Sequence, residues 1–201
     1  MMPAMTAPAL QRPASHAELD DLTLARARRG EDAACRVLVV RYQKPVFAVL
    51  HRVLAGSRAQ GQVEDLAQET FLRVFKALPG FRADGPARLS TWILTIASNL
   101  AVDVLRKRQL SVVGMEDASH VPSPLRADHA ADARRVGRAV ETALARLPEE
   151  QRVLFVLRAY HDVSHEELCA AFGLELGTVK SRLSRARAAL QQSLSAMEVT
   201  P

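Results

Sequence analysis

Apolar residues recur at helical spacing through most of the chain. The segment VEDLAQETFLRVFKALPG is the clearest case, because its apolar side chains follow the i, i+4, i+7, i+8, i+11 pattern: Ala67, Phe71, Val74, Phe75 and Leu78. This spacing predicts an amphipathic helix with one buried face. No alternation of apolar and polar residues is long enough to predict a strand. The pattern therefore favours an all-α fold.

Two segments interrupt this periodicity and divide the chain. Residues 1–17 are rich in proline and alanine and predict a disordered N-terminus. Residues 109–133 lose the helical spacing, contain Pro122 and Pro124, and carry four acids against one base, which is typical of a flexible linker. The remaining ranges predict two small helical domains and a short tail, at 18–108, 134–195 and 196–201.

Charge and cysteine content narrow the function classes. The 201-residue chain has 27 Lys and Arg against 22 Asp and Glu, a formal net charge of +5, and the basic excess lies on both sides of the acidic linker. Such a charge favours a polyanionic partner. Cys35 and Cys169 lie far apart in apolar patterns, which suits a reducing compartment. No signal-peptide pattern and no apolar run of roughly 20 residues occurs, so we expect a cytoplasmic protein without membrane insertion.

The last third of the chain contains a helix-turn-helix pattern at 164–187. Ser164 and Glu167 form a capping box ahead of an apolar run. Gly173 ends this short helix, and a basic helix follows after the segment LELG. Apolar residues of the basic helix again recur at helical spacing and should pack on the first helix: Val179, Leu183, Ala186 and Leu190.

The opposite side of the basic helix carries side chains that can bind DNA. In a helix-turn-helix the second helix lies in the major groove. Lys and Arg bond guanine acceptors there, and serine hydroxyls bond bases or phosphates. The side chains on this side are Lys180, Ser181, Ser184, Arg185 and Arg187, with Arg182 at the flank. A merely solvated basic face is the alternative, but the order of capped helix, turn and basic helix favours a DNA reader.

Three segments, in two parts of the chain, resemble sigma factors of bacterial RNA polymerase. The segment LPEEQRVLFVLRAYHDVSHEELCAAFGLELGTVKSRLSRARAAL resembles their C-terminal promoter-binding domain. The segments VEDLAQETFLRVFKAL and STWILTIASNLAVDVLRKR resemble their N-terminal domain. Because only a short linker joins the two, the chain looks like the extracytoplasmic-function (ECF) group of the sigma-70 family. The resemblance implies a region 2 helical bundle and a region 4 helix-turn-helix domain.

This resemblance also implies partners and a function. A family member binds core RNA polymerase through the beta-prime clamp helices and the beta flap, recognises −35 and −10 promoter elements, and helps to melt the DNA. It would join the nucleoid as part of the holoenzyme, and an anti-sigma factor would control it. The residues implied in polymerase binding are Glu64, Asp65, Leu66, Gln68, Glu69, Phe71, Leu72 and Phe75. Their acids would steer association with a basic coiled coil.

The resemblance assigns the −10 element to the loop at 80–91 and the helix after it. An opened strand needs cationic contacts and surfaces on which bases stack. The implied residues are Phe81, Arg82, Asp84, Arg88, Leu89, Thr91, Trp92, Asn99, Asp103 and Arg106. Core packing is an open alternative for the two aromatic residues. The loop is about two residues longer than is usual in the family, which leaves the base that it reads open.

For the −35 element, the resemblance divides the basic helix into two kinds of contact. It implies base contacts from Lys180, Ser181, Ser184 and Arg185, and phosphate contacts from Thr178, Arg182 and Arg187. Removing a base contact should relax specificity at one position, whereas removing a phosphate contact should flatten the salt dependence of binding.

Other functions have weaker support in the sequence. A stand-alone helix-turn-helix regulator that binds duplex DNA as a dimer is one alternative, and a protein-binding adaptor is another. His161, His165 and Cys169 are spaced four apart, but a helix cap at Ser164 separates them, so we predict no metal site. No phosphate-binding loop or nucleophile motif occurs. We expect neither an enzyme nor a bound cofactor.

Overall fold

The computed structural model describes the backbone of residues 18–111 and 130–198, and the side chains of 18–107 and 137–196. Within these ranges the chain forms eight α-helices and no strand, which confirms the all-α prediction. The helices are α1 (Asp21–Arg28), α2 (Asp32–Val53), α3 (Val63–Ala77), α4 (Leu89–Ser111), α5 (Ala130–Ala145), α6 (Glu149–Tyr160), α7 (His165–Phe172) and α8 (Leu176–Glu198). The predicted disorder at 1–17 lies outside the described residues.

Helices α1 to α4 form a first lobe around α2. Leu38, Val49 and Leu50 of α2 are fully buried, and α2 packs on α1, α3 and α4. Pro45 predicts a kink or a division of this helix. The helix is not divided, because α2 continues through Pro45, which is buried. The Tyr42 hydroxyl donates to Glu18 at 3.0 Å and accepts from the Leu19 amide at 3.2 Å. These bonds tie the start of the described chain to the core.

Helices α5 to α8 form a second lobe that contains the predicted helix-turn-helix. The apolar side chains of α8 that were predicted to pack inward are buried: Val179, Leu183, Ala186 and Leu190. The capping box is formed at the start of α7, and Gly173 ends that helix in the left-handed conformation at φ 63°. Local sequence signals therefore predict α7 well, because both of its ends depend on residues within or next to the helix.

Helix bounds near the linker differ from the prediction. Helix α4 continues to Ser111, α5 begins at Ala130, and α8 extends to Glu198. The alanine, leucine, glutamine and arginine residues at these ends are good helix formers, so each helix continues past the point where periodicity weakens. The remainder of the predicted linker, 112–129, and the last three residues of the tail lie outside the described residues.

The two lobes pack against each other, which the sequence does not predict. Helix α2 contacts α5 and α6, and α4 contacts α6 and α7. Arg152 of α6 is buried, and its Nη1 donates to the Val53 carbonyl at the end of α2 at 2.7 Å. Its Nη2 donates to the carbonyls of Ala145 and Leu147 at 2.6 and 3.0 Å. One guanidinium thus donates to the last carbonyls of α2 and α5 and to the turn between α5 and α6.

Candidate nucleic-acid interface

Helix α8 presents a basic, exposed face. Lys180, Ser184, Arg185 and Arg187 are exposed, as a DNA-reading role requires. Ser181 is half-buried and its hydroxyl donates to the Thr178 carbonyl at 3.0 Å. Because that bond is local, Ser181 is a less available contact than its neighbours on the helix.

Arg182 differs from the other basic residues of α8. Its Nη1 lies 2.8 Å from Glu150 Oε2, and its side chain is half-buried. Glu150 also accepts a hydrogen bond from Arg106 of the first lobe at 3.2 Å. One carboxylate at the start of α6 thus pairs with a residue predicted to contact the −35 element and with one predicted to contact the −10 element.

The capping box forms at the start of α7. The Glu167 amide donates to Ser164 Oγ at 3.1 Å, and the Ser164 amide donates to Glu167 Oε2 at 3.0 Å. These bonds satisfy two amides that a helix N-terminus leaves without intrahelical partners. The box therefore sets the start of the helix on which α8 packs.

Helix α3 carries the predicted polymerase-binding face. Glu64, Asp65, Gln68 and Leu72 are exposed, and the aliphatic Leu72 is 65% exposed. Glu69 accepts a hydrogen bond from Arg73, one turn further along the helix. An exposed leucine among acids is suited to a partner that is both basic and partly apolar.

Two predicted polymerase contacts on α3 belong to the core instead. Leu66 and Phe71 are buried, at 8% and 9% exposure, and Phe75 is half-buried against Phe71 with ring centroids 6.5 Å apart. The apolar stripe of an amphipathic helix faces its own lobe, so these side chains orient α3 and are not available to a partner.

The aromatic residues of the −10 segment pack on each other. The rings of Phe81 and Trp92 lie 5.0 Å apart at 41°. Phe81 is buried and Trp92 is half-buried, so core packing is correct for Phe81 while Trp92 remains partly accessible. Leu89, predicted to contact DNA, is also buried, at 5% exposure, because it packs inward at the first turn of α4.

The remaining residues of the −10 segment are mostly exposed. Asn99 and Asp103 lie exposed on α4, and Arg82 pairs with Asp84 within the loop at 2.9 Å. Beside this loop lies an open cleft of about 560 Å³. Its lining includes Phe81, Arg82, Trp92 and Thr95 of the first lobe, together with Ala170 and Ala171 of α7.

Arg88 and Thr91 are bound to the second lobe. Arg88 donates to Glu167 through its amide, Nε and Nη2 at 3.1, 2.9 and 3.0 Å. Thr91 Oγ1 donates to the same carboxylate at 2.8 Å. Burial alone would raise the pKa of Glu167, but the bonds from Arg88, the Ser164 amide and Thr91 outweigh it and lower this pKa to about 2.

Several residues that shape this region escape prediction from sequence. Glu18 accepts hydrogen bonds from the Ser90 hydroxyl and amide and so fixes the start of α4. Arg152 joins the lobes through backbone carbonyls. Glu18 and Arg152 act on residues far away in sequence, so no local pattern marks them. Glu167 does belong to a recognisable sequence motif, the capping box. That motif does not indicate the bonds of Glu167 to the first lobe.

Metal binding and membrane insertion find no support in the described part of the chain. No cluster of three or more His, Cys, Asp or Glu side chains there is arranged to hold a metal ion. Among the same residues, no helix combines the length and apolarity needed to cross a bilayer. Cys35 and Cys169 are both free thiols.

Comparison with known families identifies both lobes. The chain matches the family Sigma-70 region 2 over residues 38–110 and the family Sigma-70, region 4 over residues 137–190. Matches of this kind, in this order, define a two-domain bacterial transcription initiation factor.

Similar proteins indicate which group of the sigma-70 family this chain belongs to. The RNA polymerase sigma-H factor of Pseudomonas aeruginosa is 30% identical over 187 residues, which cover 88% of this chain and 94% of that protein. The ECF RNA polymerase sigma-E factor of Escherichia coli K12 is 30% identical over 188 residues, covering 87% and 94%. This chain belongs to the ECF group of the sigma-70 family. Sigma factors bind core RNA polymerase and promoter DNA and are initiation factors, not enzymes.

Two solved structures share the fold over most of their length. CnrH, in complex with the cytosolic domain of CnrY, aligns with a TM-score of 0.62 and 27% identity over 87% of this chain and 96% of CnrH. The sigma factor RpoE of Bartonella quintana, in complex with the anti-sigma factor NepR, aligns with a TM-score of 0.62 and 25% identity over 80% and 96%.

Proposed function

We propose that the exposed acids of α3 dock this sigma factor on the clamp helices of core RNA polymerase. The acids are Glu64, Asp65 and the partly exposed Glu69, with Gln68 as a polar contact and Leu72 as an apolar contact among them. The observation behind this proposal is that a single helix presents a surface that is both acidic and apolar. Leu66, Phe71 and Phe75 pack that helix against the rest of the first lobe.

Within the holoenzyme, α8 reads the −35 element. Lys180, Ser184 and Arg185 contact bases, and Arg182 and Arg187 contact phosphates, with Thr178 and Ser181 near the helix start. The support is the exposed basic face behind a capped helix and a turn, which is the geometry that delivers a helix to the major groove.

The −10 element is bound by the first lobe. Arg82, Arg88 and Arg106 contact the strand backbone, the partly exposed Trp92 stacks on a base, and Asp84, Asn99 and Asp103 line the path. Thr91 is buried against Glu167 and joins this surface only when that contact opens. Phe81 and Leu89 support this surface from the core. The observation that carries the proposal is the partly exposed Trp92 ring beside the exposed Arg82 on the first lobe, since an extruded base needs an aromatic surface and a cationic contact nearby.

A charge reversal on α3 tests the docking face. Purified protein and bacterial core polymerase should co-elute in size-exclusion chromatography, and Asp65→Arg with Glu69→Arg should abolish co-elution by turning an attraction into a repulsion. The double variant Glu166→Arg with Glu175→Arg is the matched control, because both glutamates are exposed and the net charge changes equally.

The control should co-elute as well as the parent chain. If both double variants co-elute fully, the docking face lies elsewhere. If the parent does not co-elute with a competent core but binds duplex DNA tightly by itself, the chain acts as a stand-alone regulator.

Regulation by an anti-sigma factor and a cytoplasmic location belong to the same proposal. Two similar sigma factors were solved in complexes, one with the anti-sigma factor NepR and one with the cytosolic domain of CnrY. A partner of this kind would cover the α3 face and compete with polymerase. Affinity-tagged protein expressed in its host should then recover a second, polymerase-independent partner that the α3 charge reversal loses.

A further inference from the structure

The Glu167 carboxylate lies between the lobes, and the proposed function gives it no role. It accepts five hydrogen bonds: three from Arg88, one from Thr91 and one from the Ser164 amide. Its side chain is 9% exposed. Capping α7 requires only the bond from Ser164, so the other four serve the contact between the lobes.

The same contact covers the surface proposed for the −10 strand. Arg88 and Thr91 are donors of the type that binds a DNA backbone, and here a carboxylate occupies them. Ala170 and Ala171 of α7 form one wall of the cleft beside Trp92. While α7 is in this position, Thr91 is fully buried, and Nε and Nη2 of the partly exposed Arg88 are already bonded to Glu167.

Glu150 repeats this arrangement at the other end of the contact. It lies between Arg106 and Arg182, one from each lobe, at 3.2 and 2.8 Å. Carboxylates of the second lobe thus take the place of phosphates on basic residues of both lobes. Glu150 pairs with a proposed −10 residue across the contact and with a proposed −35 residue within its own lobe.

Other side chains also pack between the two lobes, but the chain that joins the lobes is long enough for them to separate. Arg152 is buried against the Val53 carbonyl, and the Arg52 guanidinium lies 4.2 Å from the centre of the Tyr160 ring. The 18 residues between Ser111 and Ala130 can span at most roughly 60 Å when extended. That reach allows α7 and α4 to part without any change inside either lobe.

We propose that the chain outside the holoenzyme inhibits itself, with Glu167 as the latch that holds α7 over the −10 surface. The inference rests on the proposed function for the role of Arg88 and Thr91 in DNA binding. The latch itself is a property of the isolated chain. Glu64, Asp65, Gln68 and Leu72 remain exposed in the closed form, so polymerase can dock before the latch opens.

Fluorescence of Trp92 reports the latch directly, because it is the only tryptophan of the chain and lies in the cleft that α7 covers. Glu167→Gln keeps a capping-box residue but removes the charge that holds Arg88. We expect acrylamide quenching of Trp92 to rise by about twofold or more as α7 moves away. Small-angle X-ray scattering should show a larger radius of gyration.

Glu166→Gln is the matched control, since it makes the same charge change at an exposed neighbour that does not contact the first lobe. It should leave quenching and scattering unchanged. Arg88→Met breaks the contact from the other side with the α7 cap intact, and it should open the lobes as Glu167→Gln does. If neither Glu167→Gln nor Arg88→Met changes Trp92 quenching, the latch does not exist.

A random-sequence single-stranded 20-mer DNA tests whether the latch masks the −10 surface. Glu167→Gln should bind this probe about threefold or more tightly than Glu166→Gln, because both carry the same net charge and only the first releases Arg88. Opened lobes without tighter binding would overturn the masking. Neither measurement contains polymerase, so failure of the latch leaves the polymerase docking proposal standing, and failure of docking leaves the latch standing.

Discussion

Glu167 illustrates how one carboxylate can couple local and long-range structure. Its depressed pKa has a direct thermodynamic consequence, because the folded, closed form binds the proton more weakly than the unfolded chain. The stabilisation is fully present above the ordinary glutamate pKa. It is lost as the pH falls through that range towards about 2.

Urea unfolding at several pH values checks this linkage. Near pH 6, Glu167→Gln should lower the free energy of unfolding by about 1–3 kcal/mol, since hydrogen bonds to a charged group are lost. The difference between parent and variant should shrink below about pH 4 and disappear close to pH 2. A difference that stays constant across this range would contradict the charged role of Glu167.

Gly56 gives a second residue-scale prediction about the lobe contact. Its φ is +70°, and a Cβ added there would lie 2.6 Å from Cβ of Ala145 in α5. Gly30 has a similar φ of +79° but nothing within 4 Å of such a Cβ. Both replacements by alanine carry the backbone cost of about 1–2 kcal/mol. Only Gly56→Ala also forces α5 away from the first lobe.

Thermal and urea unfolding of the two variants should therefore differ. We expect Gly56→Ala to lose about 1–3 kcal/mol more stability than Gly30→Ala, the cost of an overpacked contact. Equal losses would mean that the first and second lobes do not approach closely at Gly56 in solution.

On α8, the distinction between base and phosphate contacts predicts two kinds of variant. On a promoter selected from random DNA with reconstituted holoenzyme, Arg185→Ala should cost about 1–3 kcal/mol of binding and relax the sequence preference at one position. Arg187→Ala should weaken binding to all sequences alike and reduce the slope of log affinity against log salt by about one. Fluorescence anisotropy over a salt series measures both.

At the scale of elements, the helices that sequence predicts best are those with signals at both ends. Helix α7 has Ser164 and Glu167 at its start and Gly173 at its end, and the structure reproduces each of them. Helices α4 and α5 have no such signal next to the linker, and their bounds are predicted less well. Cap residues act on backbone groups a few positions away, so they can be read without knowledge of the fold.

The stability of α7 follows from the same cap. Ser164→Ala removes the acceptor for the Glu167 amide and should cost about 0.5–2 kcal/mol. Because α8 packs on α7, binding to the −35 element should weaken without any change in the base preferred at each position. A changed sequence preference would show that Ser164 contacts DNA directly.

Helix α3 shows what periodicity can and cannot decide. The spacing of apolar residues correctly predicts that Phe71 and Val74 face inward. Resemblance to the family nevertheless implies Leu66 and Phe71 as partner contacts, and both are buried. A family motif marks every residue that a function needs, whether the residue contacts the partner or only positions the helix.

At the scale of the whole molecule, the packing of the two lobes is the part that sequence could not predict. Arg88 and Glu167 are 79 positions apart, and Arg152 and Val53 are 99 apart. No periodicity or cap links residues at such distances. The helices within each domain, by contrast, follow from local patterns, because their apolar periodicity and their ends depend on residues close together in sequence.

The separation into lobes also explains how the function can depend on polymerase. Each lobe carries one of the proposed DNA-binding surfaces, and acids of the second lobe pair with Arg88 and Arg106 of the first lobe and with Arg182 of the second. Promoter recognition by both surfaces at once requires the lobes to part. Polymerase can provide that separation by holding each lobe at its own docking site, which makes the second DNA contact effectively intramolecular.

Run-off transcription on a library of random promoter sequences tests the central account most directly. Core polymerase with this chain should produce transcripts whose templates share two sequence elements at a constant spacing. Core alone and the chain alone should produce none. The absence of such transcripts with a core that is active with another sigma factor, together with tight binding of the isolated chain to duplex DNA, would contradict the account.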